Sequence, residues 1–302
     1  MNTRAMNITL GPVPYLWAVD EWRDFYFRIA DEAPADTVTV GEFVCSKRLH
    51  FFDSMLDQVI SRLERGGKKV HLAGLGLLTL EREHRAQRRL IGGHDQIVEV
   101  SDLSTLMQVK GRPHAIGPLV NIYNVATTHL FAANGAISIC LPPELPMRSV
   151  EIIAADFPDL TIEVLAFGRT PLAISARCAH ARAKGNTKDN CQFVCGEEPD
   201  GLVVQTLDRQ PFLVLNGVQT MSYTCHVVLA ELPTLAAAGV RSIRLSPQRC
   251  DMVAVARTYR ALLDGALEAG AAREELATIY PGVPFSNGFI HGIAGAEWVD
   301  AA

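Results

Sequence analysis

Three cysteines, Cys178, Cys191 and Cys195, fall inside one polar and basic stretch, LAISARCAHARAKGNTKDNCQFVC, between Leu172 and Cys195. A polar connection offers a thiol little apolar surface to pack against, so this clustering asks for a chemical role. The spacing C-x12-C-x3-C supplies three thiolates, whereas a tetrahedral zinc ion or an iron–sulfur cluster takes four. One more sulfur has to come from elsewhere in the chain.

The elements that must position these residues alternate in type. Strands are expected at Ile8–Tyr15, Thr37–Val44, Lys69–Leu78, Gln96–Val100, Leu119–Tyr123, Ala136–Leu141, Thr161–Ala166 and Arg241–Leu245. Helical stretches fall between or after them: Glu21–Ala30, Phe52–Gly66, the charged EREHRAQRRL, Thr127–Ala133, Arg148–Asp156, Leu229–Ala238 and Met252–Leu267. Eight such βα units in 302 residues fit an α/β fold of the TIM-type (β/α)8 barrel, in which functional groups gather at the C-terminal ends of the strands. With no internal repeat and no Pro, Gly or Ser-rich linker, residues 1–302 are read as one barrel domain. A cysteine-bearing insertion at about 172–224 follows the seventh strand, with a small β hairpin before the eighth.

That geometry selects the fourth thiol. Cys45 ends the second strand in GEFVCSKR, on the face to which the insertion belongs. Cys140, Cys225 and Cys250 border apolar runs or helix starts and read as core or incidental thiols. His180, two residues from Cys178, reads as a supporting or surface group. Arg177, Arg182, Lys184 and Lys188 form a solvated basic face or, alternatively, offset the charge of bound thiolates. Spacing alone leaves zinc and a four-iron cluster equally open, with an accidental cysteine cluster that holds no metal as the third reading. Gly74 and Gly76 in AGLGLL are a fragment of a dinucleotide fingerprint and are better explained as relief of crowding at a strand.

Composition narrows the function classes. A net charge of −5 and a pI near 6.0 disfavour a DNA-binding protein or a broad RNA-binding surface. The N-terminal leader has no apolar core followed by a cleavage site, and no segment is apolar enough to span a bilayer, so a cytoplasmic protein is expected, with reduced thiols. G-x-S-x-G, H-E-x-x-H and P-loop motifs are missing, which leaves no identifiable catalytic residue.

Several stretches together resemble the collagenase-like peptidase family, and within it the branch that serves oxygen-independent ubiquinone biosynthesis. They are GPVPYLW at 11–17, GEFVCSKR at 41–48, NIYN at 121–124, LAISARCAHARA at 172–183, KDNCQFVC at 188–195, FLVLNGVQTMSY at 212–223 and IRLSPQ at 243–248. The resemblance implies a 4Fe-4S cluster on Cys45, Cys178, Cys191 and Cys195, and a heterodimer with a UbiU-like sister protein alongside other ubiquinone biosynthesis proteins. It also implies hydroxylation of the ubiquinone ring without O2. Other members of the family imply the alternatives of a peptidase or a prephenate-dependent RNA hydroxylase. IRLSPQ departs from the Glu-Gly-Arg type ending of the eighth strand in sister branches.

Overall fold

The computed structural model describes residues 6–300, so the first five residues of the leader lie outside it. Eight short parallel strands form the frame: β1 (Asn7–Leu10), β2 (Thr37–Val40), β3 (Lys69–Ala73), β4 (Ile97–Val100), β5 (His114–Ile116), β6 (Ala136–Cys140), β7 (Thr161–Ile174) and, late in the chain, β11 (Ser242–Leu245). Each pairs with the next, and β11 pairs with both β7 and β1, in register from Asn7↔Ser242 to Leu10↔Leu245, which closes the barrel. The TIM-type α/β fold expected from the sequence is therefore present.

Helices separate the strands because their apolar residues recur with helical period. In α1 (Val19–Glu32) the buried set is Trp22, Tyr26, Ile29 and Ala30; in α2 (Leu49–Arg65) it is Phe52, Leu56, Val59, Ile60 and Leu63. Gly66 ends α2 with its Cα against Ala30, where a Cβ would come within 2.5 Å of the carbonyl oxygen. The helical ring continues with α3 (Glu81–Gly93), α4 (Leu103–Val109), α5 (Val125–Ala133), α6 (Met147–Asp156), α8 (Leu232–Ala238), α9 (Met252–Leu263) and α10 (Ala269–Ile279). Burying such a face is worth about 1.5–3 kcal/mol per large side chain, which exceeds anything helix propensity supplies.

Four expectations need correction. The fifth strand is His114–Ile116, not Leu119–Tyr123: Pro118 opens a short 3-10 turn and Asn121 is left-handed at φ 60°, neither compatible with a strand. Strands expected to reach Tyr15, Val44 and Leu78 stop at Leu10, Val40 and Ala73, the second at Gly41 with φ +121°. Helices α4 and α10 were not anticipated. The predicted hairpin is three strands, β8 (Leu202–Gln205), β9 (Pro211–Asn216) and β10 (Gln219–Val227), and β10 runs antiparallel to the long extension of β7. The two-residue β12 (Phe285–Ser286) adds to the other edge of β10.

This last arrangement positions the site. Strand β7 continues past the barrel for several residues, and the insertion between it and β10 is pinned at both ends to the barrel sheet. Its helical content is the short α7 (Ala179–Ala183) and a 3-10 turn at Val194–Gly196.

Candidate functional site

Cys45, Cys178, Cys191 and Cys195 line one small cavity, with Lys47, Arg48, Lys188, Phe193 and Gly217. All seven cysteines are free thiols. Among the described residues no group of three or more His, Cys, Asp or Glu side chains is drawn close enough to hold a single metal ion, so the four thiols share a cavity without meeting at one point.

Each thiol is placed by a separate local device. The carboxylate of Glu42 accepts from the backbone of Val44 (2.7 Å) and Cys45 (2.8 Å) through Oε1, which folds the post-β2 loop around the Cys45 side chain. Cys178 caps α7, its Sγ accepting from Ala181 N at 3.3 Å. Between Cys191 and Cys195, Gln192 and Phe193 are both left-handed (φ 48° and 55°), a conformation uncommon for bulky residues that turns the C-x3-C segment tightly. The Phe193 ring is fixed edge-on to Phe51 at 4.8 Å between centroids.

Cross-links join the loop to the insertion. Lys47 Nζ donates to Lys188 O (2.6 Å) and Asp189 O (3.0 Å). His180 is fully buried; its ring nitrogens meet Leu215 O (3.1 Å) and Glu198 Oε2 (3.0 Å), which makes it an anchor of the insertion and not a group facing the cavity. Lys184 pairs with Glu198 at 2.5 Å, and Ser175 and His180 donate backbone hydrogens to Val218 and Gly217. Contrary to the polar setting read from the sequence, Cys178 and Cys195 are 7% and 8% exposed. The insertion and the loop after β2 together build a small apolar cluster from Val44, Cys178, Ala181 and Val218, with Phe43, Cys45, Ile174 and Cys191 against it.

The electrostatics turn on burial. Burial pushes the Cys45 thiol up to about 11, against the pull of Arg48, and also raises Cys178. The positive charge of the surrounding segment does not overcome desolvation at these two thiols, so burial disfavours their thiolates unless a bound electrophile replaces the proton. Arg48 itself is 1% exposed. Its Nη1 donates to Pro14 O (2.9 Å) and its Nη2 to Asn216 Oδ1 (2.8 Å), both neutral acceptors, and its Nε has no partner among the described residues. A buried guanidinium supported this way calls for an anion, and the buried Glu42 carboxylate is the charge it feels most.

The barrel mouth is a second site that the sequence did not flag. Arg244 on β11 makes a bidentate pair with Glu99 (2.7 and 2.8 Å) and a third bond to Glu163 at 3.1 Å, all three side chains buried. Arg169 is held by Asp200 at 3.2 Å and by the Tyr223 carbonyl. Both arginines border the small mouth cavity, and both charges are already answered by carboxylates. The available signal was a lone charge in each apolar strand, IVEV, IEVL and IRLS, since such residues are seldom buried unless paired. A larger cavity lies between α2 and α3, floored by Gly41, Glu42, Ala73 and Leu75 at the C-terminal ends of β2 and β3.

The remaining cysteines follow expectation: Cys140 and Cys225 are buried core thiols, and Cys250 packs against the core.

A profile of peptidase family U32 matches residues 25–300, nearly the whole barrel and the insertion with it. The chain belongs to peptidase family U32. As a U32 member it carries three of its four cavity cysteines in the insertion after β7 and the fourth after β2, all within the matched span. Among solved structures, a mutant tryptophan synthase α-subunit from the hyperthermophile Pyrococcus furiosus shares 11% identity over 90% of this chain and 98% of its own, with a TM-score of 0.28. At that score the likeness carries no inference about the U32 chain. No helix among the described residues is long and apolar enough to cross a membrane.

Proposed function

We propose that this chain is the iron–sulfur subunit of an oxygen-independent hydroxylase of anaerobic ubiquinone biosynthesis, of the UbiV type, working as a heterodimer with a UbiU-like protein. The observation that carries the proposal is the gathering of Cys45 with Cys178, Cys191 and Cys195 around one buried cavity. A four-iron cluster takes one thiolate at each iron, so its ligands are spread around a cavity, whereas zinc gathers its sulfurs into a single shell of about 2.3 Å. The donor set fits the cluster in a second respect: Arg48 offers the same cavity a buried cation with no carboxylate in its hydrogen bonds, matched to an anionic group.

When bound, the cluster would supply one-electron chemistry or a structural staple. The chain's own contribution is to hold the sulfurs. Glu42 fixes the Cys45 backbone, the α7 cap directs Cys178, the left-handed Gln192–Phe193 pair turns Cys191 and Cys195, and Lys47 ties the two segments together. The family resemblance in sequence supports the ubiquinone assignment and the partner. Anaerobic purification should give a brown protein with about four irons and matching sulfide per chain. Co-expression with a UbiU-like protein should yield a stable pair. A colourless, zinc-loaded chain from the same preparation would remove the cluster.

The family's name keeps a peptidase in view. One observation weighs against it: the charged groups bordering the barrel mouth are locked in the Arg244–Glu99–Glu163 and Arg169–Asp200 pairs, so none of these acids is free to act as a general base there. Peptide hydrolysis that survives replacement of all four cavity cysteines would favour the peptidase. The net charge of −5 weighs against the RNA hydroxylase, and steeply salt-dependent RNA binding would favour it.

A further inference from the structure

Arg48 is more deeply built into the cavity than its place beside a cysteine motif requires. Its guanidinium is clasped from two sides, by Pro14 O before α1 and by Asn216 Oδ1 at the end of β9, while Asn216 Nδ2 donates to the same Pro14 carbonyl at 2.6 Å. Gly217 gives it room: a Cβ there would stand 2.6 Å from Nη2, and the residue's φ is +61°, so a side chain is excluded by both space and backbone. The bonds it makes on Nη1 and Nη2 orient the group without neutralising it, and Nε is left over among the described residues. Burying a cation costs several kcal/mol unless an anion faces it. The buried Glu42 is the carboxylate whose charge reaches Arg48, but its Oε1 is taken by the Val44 and Cys45 amides and the hydrogen bonds of Arg48 go to neutral acceptors, so the guanidinium sits beside four thiols without a carboxylate bonded to it.

We propose that Arg48 is the fixed counter-charge of the cavity, a positioning residue that favours the reduced form of a cluster on Cys45, Cys178, Cys191 and Cys195. This role rests on the cluster reading given above. One-electron reduction adds a negative charge to the cluster and takes no proton from the chain, so a guanidinium held in a water-poor cavity stabilises the reduced form more than the oxidised one. The electron comes from an external reductant, which in the test is dithionite. Asn216 and Gly217 act through Arg48, by aiming and admitting it.

The test compares anaerobically reconstituted wild type with Arg48→Gln, Arg48→Lys and Asn216→Asp, reading iron and sulfide content, the electron paramagnetic resonance of the reduced state and the midpoint potential. Asn216→Asp keeps Arg48 in place and hands it a carboxylate at the position where the amide oxygen now accepts, so it cancels the charge without removing the side chain. Arg48→Gln and Asn216→Asp should each shift the reduced-to-oxidised ratio at least tenfold toward oxidised, which is about 59 mV lower for a one-electron couple. Arg48→Lys, which keeps the charge, should stay nearer wild type. If Arg48→Gln does not fold, Asn216→Asp and Arg48→Lys decide the question by themselves. Full clusters in wild type and Asn216→Asp with equal potentials would overturn the counter-charge and leave the cluster reading standing. A wild type that takes up no iron would overturn both.

Discussion

Replacing Cys45 with alanine should strip iron from the chain as completely as replacing Cys191. In an unstructured polymer the two would differ. About 130 residues separate Cys45 from Cys178 and about a dozen separate Cys178 from Cys191, so closing the longer loop would cost about 2 kcal/mol more, roughly thirtyfold in an association constant. A metal knuckle formed by the insertion alone would therefore recruit Cys45 weakly and tolerate its loss. In the folded chain that closure is already made: β7 and β2 belong to one barrel, Glu42 clamps the Cys45 amide at 2.8 Å, and Lys47 bridges to Lys188 O at 2.6 Å. The thirtyfold difference should then vanish. The assay is anaerobic reconstitution of the four single alanine variants, with iron and sulfide per chain measured beside Cys140→Ala and Cys225→Ala, which should keep wild-type iron. Wild-type iron in Cys45→Ala alongside loss in Cys191→Ala would refute the reasoning and take Cys45 out of the ligand set.

The other predictions concern the frame and the insertion. Arg244→Met leaves Glu99 and Glu163 facing each other without their cation and should lower stability by about 3–5 kcal/mol in urea unfolding; a cost below 1 kcal/mol would mean that the triad is not the buried ion network described. Burial raises Glu198, but the hydrogen bonds from Lys184 and His180 outweigh it and hold its carboxyl below the ordinary range. A depressed carboxyl adds stability above its unfolded value and gives it up as pH falls through the folded one. The melting temperature of the wild type should therefore exceed that of Glu198→Gln at pH 6–7, with the gap closing below about pH 4; a gap unchanged across that range would count against the pairing. With Cys45 at about 11, metal-free protein should alkylate at this thiol far more slowly at neutral pH than free cysteine does, and faster as pH rises. Peptide mapping after iodoacetamide would show it.

The barrel was legible because its strands are β-branched runs separated by amphipathic helices, and period and alternation carry that signal over many residues. The three-residue β5 escaped, since HAI is too short to alternate and the apolar run after Pro118 imitates a strand. Cys45 was legible from chain geometry, one thiol past the end of a barrel strand. Arg48 was not: its burial depends on Pro14, Asn216 and Gly217, which lie up to about 170 residues away in sequence, and in GEFVCSKR it looks like one more exposed base beside Lys47. The Arg244–Glu99–Glu163 triad escaped for the same reason, since a lone charge in a strand reveals its partners only once the sheet is rolled.

The clamp of Glu42 on the loop that carries Cys45 has a consequence for how the protein is made. The first thiol leaves the ribosome early, the other three after more than half the chain, and β11, which pairs with β1 and β7, later still. Before then the nascent chain carries Cys45 alone or, later, Cys45 with three thiols on a segment the closed barrel does not yet anchor. On the proposed cluster reading, loading would follow synthesis, and a cell that makes this protein faster than it can supply iron would accumulate closed barrels with four unligated thiols, folded and waiting.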